Sequence, residues 1–339
     1  MGHDKIKEFK NLDNPNDSLQ NVLIGNGFSM RISANYGYKT ILNECGDILL
    51  QDRELFNQLQ TSNFETCLAM LNNASIVNKL YGIQWDHKES YDRIRNSLIQ
   101  TIRKIHIQYY ELSSSSRDQI KSLFDKATNI FTTNYDLISY WALLDINSSK
   151  KSPVYGDIFI ADYENTIGKS DLIFSEKKSA HKSSKKLYFL HGGLHIYQEN
   201  GVVKKLKRSE HGILDQIEKN FENGLAPLFV SEGDWILKMQ AIESNPYLRY
   251  CYSQFENIKG NLTIYGQSLD SGTDQHIIDA IKRSRITNIS YGIYKNDKTI
   301  PQIELEKARI KECFDGIAVQ FFDSDSLYQY TFDLAFGSL

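Results

Sequence analysis

The sequence predicts an α/β fold: a Rossmann-like, doubly wound parallel sheet that carries a helical insertion. Three observations predict it. Seven short apolar runs recur along the 339 residues. Most are continuous rather than alternating, the pattern of strands buried on both faces. Helical patterns separate several of them, which is the alternation of βαβ units.

The runs come in order as NVLIG (21–25), NIFTTN (129–134), KLYFLH (186–191), PLFVSEG (227–233), NLTIYGQS (261–268), NISYGIY (288–294) and IAVQFFD (317–323). Helical patterns follow in DWILKMQAIESNPYLRYCYSQF, TDQHIIDAIKRS and QIELEKARIKECF. Residues from about 46 to 126 hold no strand-like run. They hold helical ones, such as FETCLAMLNNASIVNKLYG and YDRIRNSLIQTIRKIHIQYYEL, and read as a helical insertion covering the sheet. Residues from about 147 to 186 are rich in Ser and Lys around YGDIFIADY and read as a basic surface loop. Its lysines form a solvated face or, in the second reading, a phosphate-binding loop. A single domain over 1–339 is expected.

Composition narrows the function classes. Hydrophobic residues make up 41% and charged residues 24%, near globular averages, which argues against disorder. The net charge of −3 gives no global pull toward nucleic acid or membrane. Cys45, Cys67, Cys251 and Cys313 are far apart and form no Cys-x-x-Cys, so neither a four-thiolate zinc module nor a disulfide framework is expected. No metal site is expected. The start MGHDKIKEFKNLD is polar, with no signal-peptide core, and no apolar run reaches membrane-spanning length. Ile6 stands where a myristoylation motif needs Ser or Thr. A cytoplasmic location is expected.

Open α/β sheets bind ligands beyond the carboxyl ends of their strands. The first run ends in Gly25-Asn26-Gly27, a Gly-x-Gly without the third glycine of the dinucleotide fingerprint. Such a loop is either a tight turn or an approach for a phosphate at a helix N-terminus. Ser29 caps that helix or meets the phosphate. The second run ends in Thr133, Asn134 and Asp136; Asn134 is a helix cap or a ligand-binding amide. KLYFLHGG offers His191 before Gly192, a core histidine or a base. NLTIYGQSLD offers Gly266, Ser268 and Asp270. No paired catalytic carboxylates are apparent at these ends.

These four stations, in this order, resemble the sirtuin family and its sirtuin-like bacterial relatives that hydrolyse NAD in antiphage defence. A sirtuin has a Gly-Ala-Gly-x-Ser loop, a Gln-Asn-x-Asp segment, a His-Gly after a strand and a Gly-Thr-Ser-Leu loop. Here they read GNGFS (25–29), TNYD (133–136), HG (191–192) and GQSL (266–269). PLFVSEGDW sits where sirtuins carry a strand ending in Gly-Glu. Two features depart from the deacylases: the two Cys-x-x-Cys pairs of their zinc ribbon are missing, and Thr133 replaces the Gln.

The resemblance implies an NAD glycohydrolase that makes ADP-ribose and nicotinamide, an effector of defence by NAD depletion. Cleavage builds oxocarbenium-like positive charge on the ribose. A neutral amide, Asn134, is suited to hydrogen-bond a ribose hydroxyl and a water without adding charge. Asp136 would face the carboxamide or the developing charge, and His191 would act as general base. Gly25, Asn26, Gly27, Phe28, Ser29, Thr133, Gly266 and Ser268 would hold the phosphates and the adenosine ribose. A homo-oligomer is expected whose interface uses part of the insertion; of its apolar residues Phe64, Leu68, Leu71, Ile76 and Tyr81, most are expected to pack against the sheet of their own domain. The alternatives are a nucleotide-sensing or nuclease subunit in a complex with a HerA-type ATPase, and an NAD-dependent protein deacylase. Nucleic acid is a weakly supported partner, and no membrane contact is expected.

Overall fold

The computed structural model describes residues 6–46, 48–84, 87–151, 153–161, 171–176, 184–207, 212–231, 234–296 and 298–337. The chain runs α1 (Pro15–Ser18), β1 (Asn21–Ile24), α2 (Asn26–Ile32), α3 (Tyr38–Glu44), α4 (Leu50–Gln58), α5 (Phe64–Leu80), α6 (Lys88–Ile105) and α7 (Ser114–Lys126). It continues through β2 (Asn129–Thr132), α8 (Ile138–Ser148), β3 (Tyr155–Gly156), β4 (Phe159–Ala161), β5 (Leu172–Phe174), β6 (Lys185–Phe189), β7 (Gly192–Glu199) and β8 (Val202–Lys205). It ends with α9 (Ile213–Glu222), β9 (Pro227–Phe229), α10 (Trp235–Ser244), α11 (Pro246–Glu256), β10 (Lys259–Tyr265), α12 (Ser271–Arg283), β11 (Arg285–Ile293), α13 (Ile300–Cys313), β12 (Ala318–Asp323) and α14 (Asp325–Phe336).

Seven strands form one parallel sheet in the order β12-β11-β10-β1-β2-β6-β3, flanked by helices. Six of the seven apolar runs lie in it. β1 is buried along its whole length, as a central strand covered on both faces must be.

The seventh run is a correction. PLFVSEG does not join the parallel sheet. Its first three residues form β9, which pairs antiparallel with β7 in a second sheet ordered β4-β5-β8-β7-β9. Residues 232 and 233, with the Gly-Glu resemblance they carried, lie outside the described residues. A three-residue apolar run carries no signal for strand direction, so the topology decides. The chain reverses straight after β6 at Gly192, whose φ is +79°. A Cβ there would sit 2.1 Å from the Leu228 carbonyl oxygen, so only glycine lets β9 come this close.

The segment from 46 to 126 holds α4, α5, α6 and α7 joined by short turns, and no strand among its described residues. On α6, Ile94, Leu98, Ile99 and Ile102 are buried at helical spacing and pack toward α3 and α5. On α5, Phe64, Leu68 and Leu71 join the core, whereas Ile76 and Tyr81 are exposed. Of the predicted basic loop, β3, β4, β5 and the start of β6 are described; residues 152, 162–170 and 177–183 lie outside the described residues. Between β3 and β4 the chain passes from the first sheet to the second, and there Asp157 receives a buried ion pair from Lys205 of β8. Among the described residues, no helix is long and apolar enough to cross a membrane.

Candidate active site

The sheet order places the four stations on adjacent strands. β1 lies between β10 and β2, with Ile24 opposite both Tyr265 and Thr132. β6 lies on the far side of β2, with Phe189 opposite Thr132. The strand order reverses at β1, so the carboxyl ends of β10, β1, β2 and β6 open on the crevice of the switch point. The ladder extends into the loops: Gly25 N donates to Tyr265 O at 2.9 Å, Gly27 N to Gly266 O at 2.9 Å and Thr133 N to Ile24 O at 3.1 Å.

The two glycine loops press against each other. A Cβ on Gly27 would lie 2.8 Å from Gly266 Cα, and one on Gly266 (φ +71°) would lie 2.5 Å from Phe28 N. A Cβ on Gly25 would lie 2.2 Å from Gln267 Oε1. Close approach of loop to loop is thus what these glycines serve in this conformation, where the sequence suggested space for a phosphate. Phe28 packs in the core against Tyr265 and Tyr328, and the Ser29 hydroxyl is buried inside α2. Gly25, Phe28 and Ser29 therefore stand behind the wall of the crevice. Asn26, Gly27, Thr133, Asn134, Asp136, His191, Gly266 and Ser268 line it, around a cavity of about 300 Å³.

Asn134 is no helix cap, because α8 begins four residues later, at Ile138. Its side-chain nitrogen donates to Gly25 O at 3.0 Å and to Ser29 Oγ at 2.8 Å. A carbonyl oxygen only accepts, so the NH₂ must face Gly25 and both its protons are committed. The amide oxygen takes no hydrogen bond from a described residue. Ser29 does not cap α2 either; its hydroxyl donates to Asp136 Oδ2. Asp136 Oδ1 accepts from Ile138 N at 2.8 Å and so anchors the start of α8. Burial raises the Asp136 pKa, against the lowering effect of the Ser29 hydrogen bond.

His191 is 2% exposed, and its Nε2 lies 2.9 Å from Nε2 of His276 on α12. It is both a buried, partnered histidine and a wall of the cavity. Burial, then His276 and Lys238, hold it well below the ordinary imidazole range, so it is neutral near pH 7.

Sequence reasoning missed a charged cluster in the same wall. Lys238, 1% exposed on α10, lies 2.8 Å from Glu65 Oε2 and 3.9 Å from Asp274 Oδ1. Glu65, Lys238 and Asp274 all line the cavity, so with Asp136 it holds three carboxylates, where no pair was expected. Burial, eased by Lys238 and reinforced by Glu65, pushes Asp274 up to about 6. Tyr38, also in the wall, is raised well above its ordinary value by Glu65, by burial and by Asp274. Gln267, inside the quoted GQSL, links the cluster to the loops. Its Oε1 accepts from Thr133 Oγ1 at 2.8 Å and its Nε2 donates to Asp274 Oδ2 at 2.9 Å. No local signal marks Glu65 or Lys238: each sits in a helix whose pattern reads as ordinary surface or core. Among the described residues, no three His, Cys, Asp or Glu side chains converge as metal ligands.

A polar crevice at the switch point of a parallel, doubly wound sheet defines this as a Rossmann-like α/β protein with its candidate site in the usual place for that class. The chain belongs to the family described as "Domain of unknown function (DUF4917)", which matches residues 22–329. No curated protein matches the chain.

Proposed function

We propose that the protein is an NAD glycohydrolase, releasing nicotinamide and ADP-ribose, and that it serves antiphage defence by depleting NAD. The observation that carries this reading is the convergence of Asn134, Asp136 and His191 on one cavity beside the Gly27 and Gly266 loops.

The chemistry follows from the side chains. Both Asn134 N–H protons are committed to Gly25 and Ser29, so what it offers a substrate is its amide oxygen. That oxygen has two lone pairs and can accept from a ribose hydroxyl and from a water together. Its partial negative charge favours the positive charge that develops on the ribose. Asp136 lies behind it through Ser29 and adds negative potential to the same side. His191, neutral and oriented by His276, suits abstraction of a proton from a hydroxyl or a water. A volume of about 300 Å³ is at the lower end for small-molecule pockets, so it takes the nicotinamide riboside end of NAD. Phosphates at the Gly25 face need Gln267 to leave it.

Incubating the purified protein with NAD and measuring nicotinamide and ADP-ribose tests the reading. Absence of both, with NAD bound, would favour the second reading, a nucleotide-sensing subunit. The observation behind that alternative is that Gln267 already fills the Gly25 face. We further propose a homo-oligomer that uses the exposed end of α5, where Ile76, Val77, Leu80 and Tyr81 are uncovered. We also propose a HerA-type ATPase partner, on the family resemblance, a nucleic-acid contact, on the basic segment from about 147 to 186, and a cytoplasmic setting. Lysine deacylation ranks last, for want of zinc-ribbon cysteines.

A further inference from the structure

Among the described residues, Lys238 is the one Lys or Arg that lines the candidate active site, and it faces Glu65 and Asp274. With Asp136, the wall carries three carboxylates against one ammonium. Like charges held together away from water are unfavourable, and a cationic ligand offsets them. The surplus shows in Asp274, which burial, reinforced by Glu65, holds up at about 6 in spite of Lys238.

The hydrogen bonds point the same way. Asp274 is 5% exposed; its Oδ2 accepts from Gln267, while its Oδ1, 3.9 Å from Lys238, accepts no hydrogen bond from a described residue. Glu65 Oε2 accepts from Lys238, and its Oε1 takes no donor from a described residue. Buried carboxylate oxygens are normally hydrogen-bonded, so two open ones in one cavity wall call for a ligand that brings donors. Asp136 is different. Ser29 and Ile138 N already donate to its two oxygens, so it supplies charge rather than an open acceptor.

We propose that Glu65 and Asp274 are specificity-determining residues of this cavity, selecting a cationic ring that carries a carboxamide and rejecting the carboxylate analogue of that ring. The carboxamide NH₂ has two donors to offer the open oxygens of Glu65 and Asp274. A nicotinate carboxylate in the same place has none, and it adds a fourth negative charge. Lys238 cannot serve it without weakening its hold on the carboxylates it already faces. The pyridinium charge of oxidised NAD is favoured by the same wall. The Asn134 amide oxygen remains for the ribose. The resemblance put the carboxamide on Asp136; the open acceptors move it to α5 and α12. The inference rests on the NAD-cleavage reading of the site.

The test titrates the full chain with three probes: the cation made by methylating nicotinamide on its ring nitrogen, nicotinamide itself, and nicotinate. Ligand-observed NMR gives the three dissociation constants without turnover. The cation should bind tightest, and nicotinate should bind about 10²-fold more weakly than nicotinamide. Glu65→Gln and Asp274→Asn each remove one charge and leave Lys238 facing the carboxylate that remains, so neither strands the ammonium; circular dichroism checks the fold. Each should narrow the gap between nicotinamide and nicotinate by about tenfold. In turnover, wild-type kcat/KM for NAD should exceed that for its nicotinate analogue by about 10²-fold, and either variant should cut this ratio by about tenfold. Nicotinate bound as tightly as nicotinamide overturns the inference, as does a gap that both variants leave unchanged; nicotinamide release by the same preparation then leaves the NAD reading standing. If the wild type releases no nicotinamide, the functional reading falls, and the three constants still decide the selectivity. The expected order, narrowed in both variants, supports it; binding of none of the probes overturns it.

Discussion

Lys238 Nζ lies 2.8 Å from Glu65 Oε2, although 173 residues separate the two, and both side chains are shielded from water. The contact joins α10 to α5 at the wall of the cavity. With Asp274 3.9 Å from the same ammonium, one cation faces two carboxylates.

Removing the cation should therefore be severe. Lys238→Met keeps most of the volume but leaves Glu65 and Asp274 facing each other without compensation. Loss of one partner from a buried pair is expected to cost about 3–5 kcal/mol. Urea unfolding followed by circular dichroism measures it. A loss below about 1 kcal/mol would place the pair in the class of solvent-screened contacts.

Asn134→Ala should leave the fold in place and remove nicotinamide release, with kcat/KM reduced by about 10²-fold or more. The substitution also removes the hydrogen bonds to Gly25 O and Ser29 Oγ, which gives a second readout. A stability loss of about 1 kcal/mol is expected from the two lost hydrogen bonds, since Gly25 O still accepts from Phe28 N and the Ser29 hydroxyl still donates to Asp136. Turnover equal to the wild type, at unchanged circular dichroism, would remove Asn134 from the mechanism.

Six of the seven strands of the parallel sheet were legible because burial on both faces forces continuous apolar runs, and their tips followed from the topology rule. The second sheet was not, although Asn200-Gly201 announces the β7–β8 hairpin. Both residues have positive φ there, 51° and 78°, the geometry that this dipeptide favours between strands. Asn134, Asp136 and His191 were legible as strand-tip residues in a known order. Glu65, Lys238 and His276 were not, since each is one polar residue on a helix, and only tertiary packing brings them to the cavity. The glycines were read as a tight turn or an approach for a phosphate; in this conformation the group that approaches them is the neighbouring loop.

Gln267 occupies the space in front of Gly25, held by Thr133 and Asp274. Gln267→Ala should remove the side-chain part of that cover, with the Gly266 carbonyl oxygen still against Gly25. The expected outcome is tighter NAD binding, by about fivefold, since a self-contact no longer has to be broken first. Isothermal titration with NAD, or with ADP-ribose, measures it. Weaker binding would show instead that Gln267 itself holds the ligand. Gly25→Ala is not an equivalent probe, because its Cβ would also lie 2.5 Å from the Gly266 carbonyl oxygen.

Stability should fall in mild acid. Burial holds His106 at about 4 and His276 at about 3, and puts His191 and His195 well below the ordinary value. A histidine whose folded pKa is depressed contributes stability that is complete above about 6.5 and is lost as pH falls toward the folded pKa. Each such group adds a slope of about 1.4 kcal/mol per pH unit in that window. Asp274, raised to about 6, acts in the other direction: its contribution is complete below about 4 and is lost as pH rises through 6. Asp136, also raised, opposes the histidines in the same sense. Four histidines outweigh two carboxylates, so the net slope between pH 6 and 4.5 is toward instability in acid. Urea midpoints at pH 7 and pH 5 measure it. The His191→Gln/His276→Gln double variant should flatten the dependence by removing two of the four groups. An equal or higher midpoint at pH 5 would mean that the histidines carry protons in the folded protein, which would also remove the neutral imidazole on which the role of His191 depends.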